Sequence, residues 1–299
     1  MRLMKQSITY YITLWVIKLK GIKKKFSKDP INYKKVRKED VPVPKGAFFK
    51  KHQLRTFTVL KTKVTEITAS EHSTHLLIFI HGGAFISGPA QHHWDTAAYI
   101  AKHTQHTLWM VNYPKAPENQ IKEISNNIDA VYTEALTKYS ANHICIIGDS
   151  VGGTLTAALV QRLVLNNIKS PKKIILVSPV MDASMSNPAI ELLEKKDPML
   201  SKAGVLSAKK MCAGTIDLKA PILSPLYGSF TKFPHTFLFL AQNDITYPDA
   251  KHAALKMKEA AISVEVIEGA HMPHIWPFLP VMKEARNSLN QIIQILNTH

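Results

Sequence analysis

Ser150 stands in the run Ile147-Gly148-Asp149-Ser150-Val151-Gly152-Gly153, which carries the pattern G-x-S-x-G. An apolar run, Ile144 to Ile147, leads into it, and a helix-like stretch, Thr154 to Leu165, leads out. Strand, sharp turn and helix in that order make the setting of a nucleophile elbow, which lifts a serine hydroxyl clear of the sheet edge. The turn strains the backbone, so the residues two positions to either side must lack bulk. Gly148 and Gly152 meet that demand.

A serine hydroxyl is a weak nucleophile at neutral pH. It needs a base, usually histidine, and a third group to orient the base. On a strand–turn–helix scaffold the order along the chain is Ser, then Asp or Glu, then His. Downstream of Ser150, the apolar run Phe237-Leu238-Phe239-Leu240 leads to Asp244, a carboxylate just past a strand end, with Asp249 its close competitor. The last strand-like run, Val264 to Ile267, leads to Glu268-Gly269-Ala270-His271-Met272-Pro273-His274. His274 is the first choice as base and His271 the alternative.

Acyl transfer also needs N–H donors for the oxyanion of the tetrahedral intermediate, each worth ~3–4 kcal/mol. His81-Gly82-Gly83-Ala84 directly follows the apolar run ending at Ile80. The amides of Gly82, Gly83 and Ala84 are candidate donors. So is that of Val151, at a helix N-terminus whose dipole favours negative charge.

The elements that must position these groups are legible as a pattern. Arg55 to Ile67 alternates apolar and polar residues, as a hairpin at a sheet edge does. Short apolar runs follow at Leu76–Ile80, Thr107–Val111, His143–Ile147, Lys173–Val180, His235–Leu240 and Ser263–Ile267, with helical stretches at Ile121–Lys138 and Val281–Leu296. Strands alternating with helices imply crossover units and a mostly parallel sheet, an α/β class. Residues 183–225 show no buried strand and read as a helical insertion above the C-terminal edge of the strands, where open α/β sheets bind ligands.

A chain of 299 residues with 45% apolar content fits an ordinary globular α/β protein. Cys145 and Cys212 do not suggest a disulfide framework. The net charge of +16 is uneven: residues 1–63 hold 18 Lys/Arg against 3 Asp/Glu, and the remainder is nearly neutral. Near the start, Ile8, Ile12, Trp15, Val16, Leu19 and Ile22 recur at helical spacing. They predict an amphipathic helix whose apolar stripe packs on the body; peripheral contact with a membrane surface is the second reading. The run is too short to span a bilayer and lacks a small-residue cleavage site, so a cytoplasmic location is expected.

HGGA at 81–84, Tyr113-Pro114-Lys115-Ala116-Pro117-Glu118, GDSVGG at 148–153, Ser224-Pro225 and the Asp244/His274 pair together resemble the hormone-sensitive-lipase-like branch of the α/β-hydrolases over residues 70–299. That resemblance implies an α/β-hydrolase fold, hydrolysis of carboxylic esters of short or medium acyl chain, a small-molecule ester as partner, and no cofactor. It also implies a cap built from residues 1–45 and 183–225, which would cover the apolar stripe without a membrane. Two departures stand out. Ala84 replaces the family's third glycine and Val151 the alanine after the serine, and both suggest a tighter pocket.

Other classes find less support. His92-His93 and His103/His106 lie near one helix without metal-site spacing, so no functional metal is expected. No dinucleotide fingerprint, phosphate loop or nucleic-acid module is present. A non-catalytic binding protein on the same fold, and an amidase or peptidase, remain as alternative readings.

Overall fold

The computed structural model describes residues 6–68 and 73–298. Among these residues, eight strands form one sheet in the order β1-β2-β4-β3-β5-β6-β7-β8. They are β1 Gln53–Val59, β2 Thr62–Thr68, β3 His75–Ile80, β4 His106–Asn112, β5 Ile144–Asp149, β6 Lys173–Val177, β7 His235–Ala241 and β8 Val264–Gly269. β1 and β2 form the antiparallel hairpin expected at the edge, β2 joins β4 antiparallel, and all other pairs are parallel.

The helices are α1 Ile8–Leu19, α2 Ile22–Lys25, α3 Tyr33–Val36, α4 Ala47–Lys51, α5 Gln91–His103, α6 Ile121–Lys138, α7 Val151–Leu165, α8 Ala189–Glu194, α9 Lys202–Ala213, α10 Tyr247–Glu259 and α11 Lys283–Asn297. Successive residues of a strand point to opposite faces. On β3, Leu76, Ile78 and Ile80 therefore join the core on one side of the sheet, with Leu155 of α7. Leu77 and Phe79 join the core on the other side, with Trp94 of α5. A strand buried on both faces must be apolar throughout, which is why β3 reads as a continuous run.

Two expectations need correction. β6 stops at Val177, short of Val180, because Ser178 takes a positive φ of 44° and its N–H turns to the Phe239 carbonyl of β7. The N-terminal helix packs on the body through the opposite face from the one its apolar spacing suggested. Tyr10, Thr13 and Ile17 are buried, whereas Ile8, Ile12, Trp15, Val16 and Leu19 are exposed. Anchoring is polar: the Ser7 N–H and hydroxyl donate to Glu284 of α11 at 2.7 and 2.8 Å, and the Tyr10 hydroxyl donates to the His271 carbonyl at 2.8 Å.

Past α1 the N-terminal segment meets the inserted one. Lys23 Nζ donates to the carbonyls of Glu194 and Asp197, Ser201 Oγ donates to the Phe26 carbonyl at 3.0 Å, and the Ile31 N–H donates to Ser207 Oγ at 2.9 Å. Gly204 of α9 allows this approach, since a Cβ there would run into the Phe26 carbonyl. No helix among the described residues is long and apolar enough to cross a membrane.

Candidate active site

The turn between β5 and α7 is as sharp as the motif demands. Ser150 has φ 52° and ψ −120°, a conformation that costs on the order of 1–3 kcal/mol for a residue with a Cβ. The surroundings hold it there: the Ser150 N–H donates to the Val177 carbonyl at 2.9 Å, and its own carbonyl accepts from the N–H groups of Thr154 and Val180. A Cβ on Gly152 would strike the Ile80 carbonyl, so α7 can start this close to β3 only with glycine at that position.

His274 Nδ1 donates to Asp244 Oδ2 at 2.7 Å, and both side chains are buried. The other Asp244 oxygen accepts the Thr246 N–H at 2.8 Å, which fixes the carboxylate past the end of β7. The competitors lie elsewhere. His271 is exposed, while Asp249 sits in the first turn of α10 and accepts from Asn187 Nδ2 at 2.8 Å. Burial alone would lower the His274 pKa, but the charges of Asp244, Asp197 and Asp149 outweigh it and raise the pKa above the ordinary histidine value. Ser178 links the His274 and Ser150 loops: its hydroxyl accepts the Ile275 N–H at 3.0 Å, next to His274, and the preceding carbonyl receives the Ser150 N–H.

The loop after β3 is folded back on itself. Gly83, Ala84 and Phe85 all have positive φ, and the Gly83 carbonyl accepts the N–H groups of Ile86 and Ser87. Of the expected oxyanion donors, Gly82 is committed elsewhere: its N–H donates to Asp149 Oδ1 at 2.9 Å. The N–H groups of Gly83, Ala84 and Val151 have no protein acceptor among the described residues. His81 is buried beside the loop. Its Nδ1 donates to the Gly82 carbonyl at 2.6 Å and its ring stacks on Tyr113, while burial, then the nearby Lys115 charge, hold it neutral.

Asp149 is the hub beneath this loop. The Ala90 N–H donates to His93 Nδ1 at 2.9 Å, so the ring proton sits on Nε2 and points at Asp149 Oδ2, 3.3 Å away. Burial would raise the Asp149 pKa, but His93, His92 and the Gly82 N–H hold it below the ordinary carboxylate value. His92, His93 and Asp149 have ligand atoms within 4.8 Å of one another. The protonated His93 Nε2 nevertheless presents a hydrogen, and not a lone pair, to that point.

Three contributors escaped the sequence reading. Arg37 donates to the carbonyls of Ile86 and Ala116, at 2.6 Å each, and to both oxygens of Glu118, so it clamps the loop after β3 to the 113–118 stretch. Asp40 accepts the Gly88 N–H at 2.7 Å. Asp197, in the Asp-Pro turn after α8, accepts N–H groups from Met199, Leu200 and Ile245, beside Asp244; burial, then the Asp244 charge, push its pKa up to about 7. A charged residue among so many others in the basic segment gives no local signal, and Asp197 carries only the weak turn signal of a residue before proline.

Over residues 77–278 the sequence matches the family of the alpha/beta hydrolase fold. The chain belongs to this family. Among curated relatives, an esterase of Acinetobacter venetianus is 30% identical over 217 residues, which is 71% of each chain. An ethyl acetate hydrolase of Pseudomonas putida is 22% identical across 75% of this chain and 73% of its own. Among solved structures, an esterase of the bacterial hormone-sensitive lipase family shares the fold of this α/β-hydrolase with a TM-score of 0.85, 21% identity and 98% coverage of both chains.

Proposed function

We propose that this α/β-hydrolase cleaves carboxylic esters of short to medium acyl chain through a Ser150–His274–Asp244 triad and an acyl-enzyme. His274 Nε2 takes the Ser150 proton as Oγ attacks the ester carbonyl. Asp244 fixes the imidazole tautomer and stabilises its charged form. The N–H groups of Gly83, Ala84 and Val151 receive the oxyanion. His274 then protonates the leaving alcohol, and water releases the acid by the reverse sequence. The observation that carries this reading is the buried 2.7 Å His274–Asp244 hydrogen bond, reached in the chain order that the elbow requires. The same pair weighs against a purely ligand-holding role.

Ala84 and Val151 are bulkier than the glycine and alanine of similar chains next to the proposed oxyanion donors, which favours small acyl and alcohol groups in this reading, in keeping with the ethyl acetate hydrolase relative. Residues 1–45 and 183–225 form the cap in this reading, supported by their mutual contacts at Phe26, Ile31 and Asp197.

The test is a pair of comparisons on p-nitrophenyl butyrate. Ser150→Ala should lose at least ~10⁴-fold in kcat and all fluorophosphonate labelling. His274→Ala should lose ~10³-fold or more, while His271→Ala stays near wild type. Labelling that survives Ser150→Ala, or a base role that follows His271, overturns the assignment.

A further inference from the structure

Helix α1 is apolar on both sides, and the body covers one of them. Tyr10 and Ile17 face inward, at 5% and 7% exposure. On the outer side stand Ile8, Tyr11, Ile12, Trp15, Val16 and Leu19, with Ile8 at 79%, Trp15 at 62% and Leu19 at 65% exposure. At 100° per residue these six fall within one face of the helix. Soluble chains scatter exposed apolar side chains singly; six contiguous ones mark a surface that something else covers.

The charge around this face says what covers it. The first acidic residue of the chain is Asp29, so residues 1–28 carry basic residues and no acid. Lys18, Lys20, Lys24 and Lys28 are exposed at and beyond the C-terminal end of α1. Tyr11 and Trp15 are the side chains that favour the headgroup level of a bilayer. A helix of 12 residues is about 18 Å long, too short to span but suited to lie in the interface plane.

We infer that the outer face of α1 docks this protein on an anionic lipid surface, apolar side chains in the acyl boundary and lysines on the headgroups. A second copy of the chain fits less well, because pairing α1 with α1 would bring two basic segments together. Docking would also hold the catalytic-histidine loop at the lipid, since the inner face of α1 is tied to the His271 carbonyl through Tyr10. The inference stands apart from the proposed ester chemistry, and its test uses no turnover.

Of the four tryptophans, Trp94, Trp109 and Trp276 are buried and Trp15 is exposed, so a lipid-induced change in tryptophan emission reports α1. The protein should co-sediment with vesicles of mixed phosphatidylcholine and phosphatidylglycerol. Its emission should shift to the blue and be quenched by brominated acyl chains. Phosphatidylcholine alone should bind about tenfold less, and added salt should weaken the anionic binding. The double variant Trp15→Ser/Leu19→Ser should lose about tenfold in vesicle affinity. So should the triple variant Lys18→Gln/Lys20→Gln/Lys24→Gln, with circular dichroism and thermal unfolding of both unchanged. No association with anionic vesicles overturns the inference, as does undiminished binding by the double variant. A dimer that Trp15→Ser dissociates, without vesicle binding by the wild type, overturns it in favour of a second copy.

Discussion

Helices α1 and α9 are both 12 residues long, and they lie in the two segments that meet over the body. Each departs from the rule of apolar inside and charged outside, in opposite senses. α1 turns six large apolar side chains to solvent, while α9 buries Lys209 completely, its ammonium 4.3 Å from the centre of the Phe85 ring and without a hydrogen-bond acceptor among the described residues. Burial is the main cause that lowers the Lys209 pKa, to about 7. The difference shows which departure costs the fold. An exposed leucine costs the folded chain little, since it is exposed in the unfolded chain too. A buried, unpaired cation must lose its water or its proton. The face of α1 is therefore exposed at little expense in stability, while the stem of Lys209 fills the core against Phe85 of the loop after β3 at a standing electrostatic penalty.

The largest effect should come from α9. Lys209→Met keeps the volume and removes the charge, so it should stabilise the protein. The unfolded lysine binds its proton up to its ordinary value of 10.5, and the folded one releases it near 7. The wild-type penalty is thus full below pH 7 and fades as pH rises toward 10.5. Urea unfolding should show a gain of up to roughly 4 kcal/mol at pH 6, shrinking by pH 9.5. A loss of stability at pH 6 would mean that the Phe85 contact outweighs desolvation, and the contrast between the helices would fail.

Next comes Asp197, from the same inserted segment. Its charge, where the carboxyl is ionised, helps to raise the His274 pKa, and in the proposed mechanism the base must be neutral to act. Asp197→Asn should therefore move the acid limb of the kcat/KM profile to lower pH, which an unshifted limb would contradict. On the α1 side, Tyr10→Phe removes one hydrogen bond to the His271 carbonyl and should cost about 1 kcal/mol of stability. Smallest of all, Trp15→Ser should change stability by no more than about 0.5 kcal/mol in the absence of lipid. A larger loss would show that the outer face of α1 is packed in solution, which would erase its difference from a buried helix.

The sequence by itself determined the local grammar. Gly148 and Gly152 around Ser150 and the apolar runs that become β3, β5 and β7 are consequences of covalent spacing, strand period and backbone sterics, which act within a few residues. Tertiary structure decided what depends on distant neighbours. It set which histidine reaches Asp244, and that the Gly82 amide answers to Asp149. It also put Arg37 on the loop after β3, 49 residues away. On α1, periodicity announced a helix with an apolar stripe, but Tyr10 and Ile17 compete with that stripe for the body. Apolar burial is non-directional: pattern tells that a face will be covered, and only the fold, through the Tyr10 and Ser7 anchors, picks which face the protein covers itself.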